Sequence, residues 1–403
     1  MSRKIRTLLF STLYPSSARP VHGIFVETRL RELLRTGEVE AKVLAPVPWF
    51  PSTHARWGEW ANMAATPPRE TRNGIDVLHP RYPVLPKVGM TIAPLLLAVA
   101  SLSAMRRLAA EGFDFDVIDA HYFYPDGVAA AVLARVAGKP LTITARGTDL
   151  NLIPQHALPG RMIRWAARRA DASIGVCEAL VDVLRNWNID STRLHVMRNG
   201  VDLKRFRPLS QEQMRRELGV DGAPLLLSVG HLIERKGHHL VIDALQLLSA
   251  SFPQSRLVIV GSGEERERLM EHACKRDVAS RVMFAGPIAN DQLARWYSAA
   301  DLLVLGSSRE GWANVLLESM ACGTAVVATD IWGTPEVVAP HVGRLVGERS
   351  GTAIAEAVKE LLASPPSRVA VRDYAEGFGW EETSRSQIGL FRQIASSWGR
   401  DHA

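Results

Sequence analysis

Short apolar runs, separated by helix-like segments, recur along the chain and constrain its fold more than any other feature. Runs without polar alternation are typical of strands buried on both faces, as in parallel sheets covered by helices. Because they alternate with helical patterns, they predict βαβ units with right-handed crossovers, and hence an α/β fold. The predicted strands are Arg6–Phe10, Ala41–Leu44, Val117–Ala120, Leu141–Ala145, Ser173–Val176, Leu194–Met197, Leu225–Val229, Leu257–Val260, Val282–Ala285, Leu302–Leu305 and Ala325–Ala328.

The length of the chain, 403 residues, exceeds one ordinary core and predicts two domains of about 200 residues each. A polar segment at 202–208 precedes a predicted helix, Ser210–Leu218. We therefore predict an N-terminal domain of residues 1–205 and a C-terminal domain of residues 206–380, each a doubly wound sheet. Two such domains facing each other would hold a ligand in the cleft, at the carboxyl ends of their strands.

The composition excludes several classes of protein. A hydrophobic content of 47% with 22% charged residues is that of a folded chain. The three cysteines form no CxxC pair, which argues against a disulfide framework or a structural metal site and indicates a reducing compartment. The short apolar run near the N-terminus ends at Tyr14-Pro15 and is typical of a buried strand, so we expect no signal peptide and a cytoplasmic protein.

The positive charge is concentrated in the first half of the chain. Residues 1–200 hold 25 Lys and Arg against 17 Asp and Glu, a balance of +8, and the remainder holds 23 against 25, or −2. A basic half can attract nucleic acid, anionic lipid or a phosphorylated substrate. Nucleic acid is the least favoured, because there is no basic tail and no nucleic-acid-binding motif.

Two features of this half suggest contact with a membrane surface. Gly89–Met105 is uncharged but short for a span of roughly 20 residues, and it contains Pro94, so we expect a buried or surface-docked helix. Four arginines, at 161, 164, 168 and 169, fall near one helical face. Such a face is usually only solvated, but it could meet anionic lipid, and we hypothesise peripheral attachment.

The segment Leu225–Leu240 combines the parts of an anion site. A predicted strand ends at a glycine, the loop carries His231, Arg235 and Lys236, and a second glycine opens a helix. Free amides at the helix start and a lysine point charge would together bind a diphosphate. The alternative is an exposed turn that only begins a helix.

The segment Ser307–Thr329 carries two glutamates around a helix start. Glu310 lies in the loop after a predicted strand, and Glu318 sits within the helix that begins near Asn314. Eight residues would separate the two by about 12 Å in a regular helix. Such carboxylates could bind two hydroxylated rings joined by a diphosphate at the helix N-terminus. Helix capping is the alternative, but Trp312 between the glutamates makes it less satisfactory.

Two weaker motifs follow predicted strands. The sequence LVIVGSGEE at 257–265 lacks the third glycine of a dinucleotide fingerprint and is more typical of a tight turn. The sequence FAGPI at 284–288 could offer backbone groups to a nucleotide base.

In this order, the motifs of the second half closely resemble the donor-binding half of the retaining glycosyltransferases of family 4. They read SVGHLIERKG, IVGSGEE, EGWANVLLESMACGTAVVAT and GTPEVV. The first half continues the resemblance with GIFV at 23–26, DVIDAHYFYPDGVAA at 116–130, ARGTD at 145–149 and RNGVD at 198–202. The resemblance covers nearly the whole chain, and within the family it is nearest to bacterial enzymes of exopolysaccharide and teichuronic-acid-type assembly. It implies the GT-B fold, two Rossmann-like domains facing each other across a cleft.

The resemblance also implies roles for individual residues. Glu318 would bind the ribose hydroxyls, Glu310 the hydroxyls of the donor sugar and Lys236 the diphosphate. Ile288 would lie against the base. Main-chain amides would help at Gly23 and over Gly311, Trp312, Ala313 and Asn314. A terminal helix, Glu381–Trp398 here, would cross back to the first domain.

Two positions depart from the family pattern. His231 replaces the usual basic residue of the strand-end pair, which leaves the diphosphate with less permanent charge unless Arg235 compensates. Arg146 stands where the later HGTD-like motif commonly has histidine.

Two residues of the first half are candidates for the reaction itself. A lone histidine at a strand end is more often structural, but the resemblance favours His121 as a residue that hydrogen-bonds the donor sugar or stabilises the transition state through a backbone or ring contact. Asp149 could orient the acceptor, although an aspartate after Gly-Thr is equally a helix cap.

The reaction implied by the resemblance needs no side-chain nucleophile. The acceptor hydroxyl would attack from the face that the diphosphate leaves, and the departing phosphate would take its proton. The protein would position the substrates and stabilise the leaving group. No DxD motif is present, so we expect no metal or other cofactor.

The expected partners are a UDP- or GDP-linked hexose, a glycan or lipid-linked glycan acceptor, and an anionic membrane surface. Three other interpretations stay open: a nucleotide-sugar epimerase, a dinucleotide oxidoreductase and a non-enzymatic assembly subunit.

Overall fold

The computed structural model describes residues 3–84 and 89–401. They form two compact units: the first contains the residues up to Arg198 and those from Glu381 onward, and the second is Asn199–Trp380. The predicted α/β fold is confirmed, because each unit is built on a mainly parallel sheet with helical crossovers.

The first unit is organised around an eight-stranded sheet with the order β10-β9-β8-β7-β1-β2-β5-β4. All its strand pairs are parallel except β4 with β5, and β3 and β6 pair separately. The strands are β1 Ile5–Phe10, β2 Val39–Leu44, β3 Val47–Pro48, β4 Arg69–Arg72, β5 Ile75–Leu78, β6 Arg81–Tyr82, β7 Val117–His121, β8 Leu141–Ala145, β9 Ala172–Gly175 and β10 Leu194–Val196. The helices are α1 Ile24–Arg35, α2 Glu59–Ala65, α3 Gly89–Ala110, α4 Val128–Ala137, α5 Thr148–Asn151, α6 Ala157–Arg169 and α7 Glu178–Arg185.

The second unit has a six-stranded, wholly parallel sheet with the order β13-β12-β11-β14-β15-β16. Its strands are β11 Leu225–Val229, β12 Arg256–Val260, β13 Val282–Gly286, β14 Leu302–Leu305, β15 Ala325–Thr329 and β16 Gly343–Val346. Its helices are α8 Gln211–Leu218, α9 His238–Leu248, α10 Arg266–Lys275, α11 Leu293–Ala299, α12 Asn314–Ala321, α13 Gly351–Ala363 and α14 Arg368–Glu376.

The last helix, α15 Trp380–Asp401, completes the first unit. Ile388, Phe391 and Ile394 of this helix pack in one buried cluster with Ile5 and Val117. These contacts bury apolar side chains of both the helix and the sheet, which stabilises the unit.

The segment that joins the units packs with the second unit. The predicted boundary after residue 205 therefore differs from the structural one, which follows Arg198. The reason is a set of hydrogen bonds: Val201 N–H donates to the Phe378 carbonyl, and the Arg372 guanidinium donates to the carbonyls of Leu203 and Phe206.

One helix in the described part of the chain is long and apolar enough to cross a membrane, the stretch Thr91–Ala110 within α3. One of its faces packs in the unit and buries Leu97 and Leu108, while Leu95 and Val99 remain exposed. Only 33% of the most apolar part of this stretch is buried.

Both sheets reverse their strand order at one point, and ligands of doubly wound sheets bind beside such points, at the carboxyl ends of the strands. In the first unit the reversal lies between β1 and β7, and in the second between β11 and β14. The loops after these four strands contain most of the predicted site residues.

Candidate active site

In the second unit, the loops that follow β11 and β14 touch backbone to backbone. Gly237 has a φ of +69°, and a Cβ atom there would lie 2.0 Å from the Gly306 carbonyl oxygen. Only glycine fits this approach, because any side chain would collide with the neighbouring main chain. The contact brings the residue before Gly237 and the residues after Gly306 to the same place.

That place holds an ion pair between Lys236 and Glu310. The Lys236 ammonium lies 2.6 Å from Glu310 Oε1, and the Ser307 hydroxyl donates to the same oxygen at 2.7 Å. Arg235 donates to the Arg309 carbonyl at 2.7 Å and lies 3.9 Å from Glu310 Oε2. Burial alone would raise the pKa of the Glu310 carboxyl, but Lys236 and the other donors outweigh it and hold that pKa below its ordinary value. Glu310 is therefore ionised at neutral pH.

The N-terminus of α12 follows this pair directly. Gly311, Trp312 and Ala313 are buried, and Asn314 begins the helix without a side-chain cap. An uncapped helix start presents N–H groups and the positive end of the helix dipole. Beside the Lys236 ammonium, it forms the kind of site that binds phosphate.

Glu318 lies one turn into α12 and has a separate set of contacts. The Tyr297 hydroxyl, on α11, donates to Glu318 Oε2 at 2.8 Å. Enclosure of the carboxyl by protein raises the pKa of Glu318 to about 7, against the lowering effect of Tyr297 and Arg205. The two predicted glutamates therefore differ: Glu310 is held charged by cations, and Glu318 is poised between its charged and neutral forms.

The remaining donor-side predictions lie at the same edge of the sheet. His231 is exposed in the loop after β11, and its carbonyl oxygen lies 3.3 Å from Nε2 of buried His238. Ile288 is half-buried just beyond the end of β13. Neither has a side-chain contact that assigns it a role, so both roles stay predictions.

In the first unit, Gly23 precedes α1 in the loop that follows β1. Its φ is +55°, and a Cβ atom would lie 1.8 Å from the Leu13 carbonyl oxygen, so no other residue fits. Helix α1 also begins without a side-chain cap. The loop can thus offer main-chain amides, as the resemblance implies.

The His121 side chain is turned into the first unit. It is 1% exposed, Nε2 lies 3.1 Å from Asp119 Oδ2, and Nδ1 contacts the Arg146 guanidinium. A guanidinium can only donate, so Nδ1 accepts and Nε2 carries the proton given to Asp119. Burial, opposed by Asp119, lowers the pKa of His121 to about 4 and keeps the ring neutral.

Asp119 and Arg146 contact both ring nitrogens of His121, and the expectation that its ring or main chain contacts a ligand stays a prediction. The physical reason for the Asp119 contact is the strand period: residues two apart on a strand lie on the same face, so Asp119 and His121 meet. A catalytic role for His121 likewise stays a prediction. It would require either a contact made by the main chain of His121 or a ring that gives up its hydrogen bonds to Asp119 and Arg146.

Asp149 is likewise enclosed. Its carboxylate accepts the main-chain N–H groups of Phe123, Arg146 and Gly147 at 2.8, 3.0 and 2.8 Å. It holds the loops after β7 and β8 together, which favours the capping alternative over a contact with the acceptor.

Several site residues were missed by the sequence analysis. Asp126 is fully buried after β7, its Oδ2 accepts from Ser11 and Thr12, and burial raises its pKa to about 7. Tyr297 and Ser307, which orient the two glutamates, were also missed. These residue types are common, and their spacing matches no motif. The only signal in the sequence is the Pro-Asp-Gly turn at 125–127, which contains Asp126.

The described residues contain no group of three or more His, Cys, Asp or Glu side chains arranged to hold a metal ion. The expectation of a reaction without metal is not tested by this observation.

Two family models match the chain. The model described as glycosyl transferases group 1 matches residues 210–378, and the model described as glycosyltransferase family 4 matches residues 24–205. Together they span both units.

Two relatives of similar sequence extend the match. A protein of Bacillus subtilis named as a teichuronic acid biosynthesis glycosyltransferase, TuaC, is 29% identical over 362 residues, 88% of each chain. A D-inositol 3-phosphate glycosyltransferase of Frankia alni is 34% identical over 311 residues, 70% of this chain and 75% of the relative.

Solved structures show the same fold. The crystal structure of Anabaena HepE in complex with UDP and glucose superposes with a TM-score of 0.72 at 18% identity, over 97% of this chain and 100% of that one. The chain therefore belongs to the group 1 glycosyltransferases of family 4 and has their GT-B fold.

Proposed function

We propose that this glycosyltransferase moves a hexose, with retention of anomeric configuration, from a UDP- or GDP-linked donor to a glycan or lipid-linked glycan in cell-surface polysaccharide synthesis. The observation that carries the proposal is the buried Lys236–Glu310 pair beside the uncapped start of α12. A relative named for teichuronic acid biosynthesis supports the pathway, and the UDP and glucose held by HepE favour a UDP-linked sugar.

The donor would bind across the loops after β11 and β14. Lys236 is already oriented by Glu310, so an arriving diphosphate would share its ammonium and meet the amides at Gly311–Asn314. Glu310 keeps its charge and could accept hydroxyl groups of the sugar. Glu318, held by Tyr297, would accept those of the ribose.

Transfer would then rest on stabilisation of the leaving diphosphate. As the bond between the anomeric carbon and the diphosphate oxygen breaks, negative charge develops on that oxygen, and Lys236 with the α12 amides would stabilise it. The acceptor hydroxyl would attack from the same face, forming the new glycosidic bond, and its proton would pass to the departing phosphate.

Donor binding and transfer can be measured separately. UDP and GDP should be compared by thermal shift, because a ligand that binds only the folded protein raises its melting temperature with concentration. We expect one of them to stabilise the wild type. Lys236→Ala and Glu310→Ala should each abolish most transfer. Lys275→Ala and Glu271→Ala, exposed positions on α10, are matched controls that should keep it. Near-normal transfer by Lys236→Ala or Glu310→Ala would contradict the assigned roles.

The products distinguish the proposal from its alternatives. An epimerase would release a free altered nucleotide sugar, an oxidoreductase would change the fluorescence of NADH, and an assembly subunit would bind donor without turnover. Retention is read from the anomeric configuration of the product by NMR.

We also propose that transfer needs no divalent metal. Lys236, Arg235 and the helix start would supply the positive charge that a metal provides elsewhere. Addition of EDTA should leave the rate unchanged, and a loss that Mg²⁺ or Mn²⁺ restores would refute this point.

We place the enzyme in the cytoplasm, at the inner face of the membrane. Among the described residues, Cys274 and Cys322 form no disulfide, as suits a reducing compartment.

A further inference from the structure

A cavity of about 320 Å³ opens in the first unit beside the carboxyl end of β7. Its walls come from the end of β6 with the residues after it, from α3, from the turn after His121, and from Ile153. This volume is at the lower end of the range for ligand sites, about 300–1,000 Å³. The cavity lies next to the switch point between β1 and β7, where a ligand of this sheet is expected.

The lining of the cavity is aromatic and aliphatic. Val84, Ala93 and Leu96 contribute apolar surface, and Tyr122 and Tyr124 contribute their rings. None of the described residues that line it is charged. A phosphate or a bare sugar would find few partners there, because such groups need charged or hydrogen-bonding side chains.

One detail of the backbone indicates a binding site at this wall of the cavity. Tyr122 has a φ of +86°, a conformation that residues with a Cβ rarely adopt. Strained backbone is costly and concentrates at binding sites.

The surface around the cavity is apolar as well. On α3, the helix that provides Ala93 and Leu96, the side chains of Leu95 and Val99 are 60% and 65% exposed. Val99 follows Leu96 by three residues and is therefore its neighbour on the helix surface, which joins the cavity wall to the exposed part of α3.

Exposed aromatic side chains lie in the segment that pairs with the Tyr82 wall of the cavity. Trp49, Trp57 and Trp60 are 58%, 42% and 40% exposed, and Phe50 packs against Trp57 and Trp60 with ring centroids 5.5 Å apart in both pairs. The main-chain N–H of Trp49 donates to the main-chain carbonyl of Tyr82, a residue of the cavity wall, at 2.7 Å. Exposed tryptophans are typical of surfaces that lie at the boundary of a lipid bilayer.

We infer that this cavity holds the aliphatic chain of a membrane-borne acceptor, with the acceptor's polar end beside the carboxyl end of β7. This inference rests on the proposed function and narrows its acceptor to the lipid-linked class. A chain that enters from a bilayer explains why the lining, the exposed face of α3 and the tryptophan cluster are apolar and continuous. A wholly polar acceptor would leave all three without a function.

The test uses the full chain and n-octyl β-D-glucoside below its micelle concentration, with methyl β-D-glucoside as the polar reference. Saturation-transfer NMR should give saturable binding of the octyl compound and none of the methyl compound. Ala93→Trp, which fills the cavity, should weaken octyl glucoside binding at least about tenfold. Ala109→Trp, at an exposed position on the opposite side of the same helix, should leave the affinity within about twofold.

A second cavity variant guards against misfolding. Val84 lies at the partly exposed rim, so Val84→Asp places a charge in the cavity without disturbing the core, and it should weaken binding as Ala93→Trp does. Equal affinity of the wild type and both cavity variants would overturn the inference, as would equal binding of methyl glucoside. Loss of binding in Ala109→Trp to the same extent would show that the effect is not specific to the cavity and would also overturn it.

The inference and the proposed donor chemistry can fail separately. UDP or GDP binding, measured by thermal shift on the same variants, reports on the second unit. If neither nucleotide binds the wild type, the donor assignment fails. If a nucleotide binds and the octyl compound does not, the lipid acceptor fails.

Discussion

The Lys236–Glu310 pair shows how neighbouring charges depend on each other at the scale of single residues. Both side chains are largely withdrawn from water, 13% and 8% exposed. Loss of one partner of a buried pair can cost about 3–5 kcal/mol, because the other charge stays uncompensated. The two positions therefore affect stability as well as the reaction.

We predict that Lys236→Met destabilises the protein and that Lys236→Met/Glu310→Gln recovers most of the stability but no transfer. The pH dependence has a definite sign. Without Lys236, burial raises the pKa of Glu310, so the destabilisation should grow from pH 5 to pH 8 as the carboxyl ionises. Melting temperatures of the single and double variants, with transfer rates beside them, measure this. A double variant no more stable than Lys236→Met would show that the charges are not coupled.

Glu318 should respond to pH in the opposite way from a carboxyl whose pKa is lowered, such as Glu310. The pKa of Glu318 is raised to about 7 in the folded protein, above the ordinary value of 4.5. A raised pKa favours the folded state below the unfolded value, and that stabilisation is lost as the pH rises through about 7.

Glu318→Gln, which cannot ionise, should therefore melt at a higher temperature than the wild type at pH 8 and close to it at pH 5. The same variant should bind the nucleotide less well at pH 8, since it loses a charged acceptor for the ribose hydroxyls. Parallel melting curves across this range would show that the carboxyl titrates normally. Glu271→Gln on exposed α10 is the matched control.

His121 shows what residue types alone leave open. The sequence marked it correctly as a histidine at a strand end, but the Asp119 contact depends on the face that both side chains share. The Arg146 contact joins β7 to the loop after β8, a pairing that no local pattern reveals. Buried polar partners such as these are set by tertiary packing, so the sequence could name the residue but not the direction of its ring.

At the scale of elements, most central strands were predictable, as were the edge strands β10 and β13, whereas β4, β5 and β16 were missed. All the predicted strands are present, because an uninterrupted run of Val, Ile and Leu has few alternatives to a doubly covered parallel strand. Edge strand β4, with the sequence RETR, is too polar to be recognised as a strand. Its antiparallel pairing with β5 therefore could not be predicted either. The short strands β3 and β6 contain two residues each, below the length of any periodic signal.

The glycines offer a test at this scale, because two of them share a backbone conformation but differ in their surroundings. Gly219, which ends α8, has a φ of +64° and no atom within 4 Å of a built Cβ, whereas the Cβ of Gly237 would meet Gly306.

Gly219→Ala should cost about 1–2 kcal/mol, the strain of the left-handed conformation alone. Gly237→Ala should cost more and should also weaken nucleotide binding, because the loops after β11 and β14 must separate and carry Lys236 away from Glu310. Chemical unfolding and thermal shift with nucleotide measure the two effects. Equal losses of stability and unchanged nucleotide binding would show that the backbone contact does not position the site.

For the whole molecule, the sequence showed the charge balance of each half but not where apolar surface is left uncovered. The basic face of α6 was visible as a spacing of arginines, and Arg161, Arg168 and Arg169 are exposed. Arg164 instead stacks on Trp187 at 4.9 Å. The tryptophan cluster went unnoticed, because its members are separated in sequence and come together only through the turn after β3.

These two surfaces predict different kinds of membrane attachment. A basic face attracts anionic lipid with about 1 kcal/mol per arginine, and that attraction is screened over about 8 Å at physiological salt. Tryptophans at the bilayer boundary gain their free energy from burial of ring surface, which salt does not screen. Salt dependence therefore tells them apart.

We expect wild-type protein to bind vesicles of phosphatidylcholine with phosphatidylglycerol in a flotation assay. Trp49→Ser/Trp60→Ser should weaken this binding by about tenfold at both low and high salt, a loss of roughly 1.4 kcal/mol. Arg168→Gln/Arg169→Gln should weaken it at low salt only. Val369→Ser, at a 69% exposed position of the second unit, should change nothing. If the tryptophan variant binds as wild type while the arginine variant does not, attachment is electrostatic alone. The aliphatic chain of the acceptor would then enter the cavity beside Tyr82 without membrane contacts made by the tryptophans.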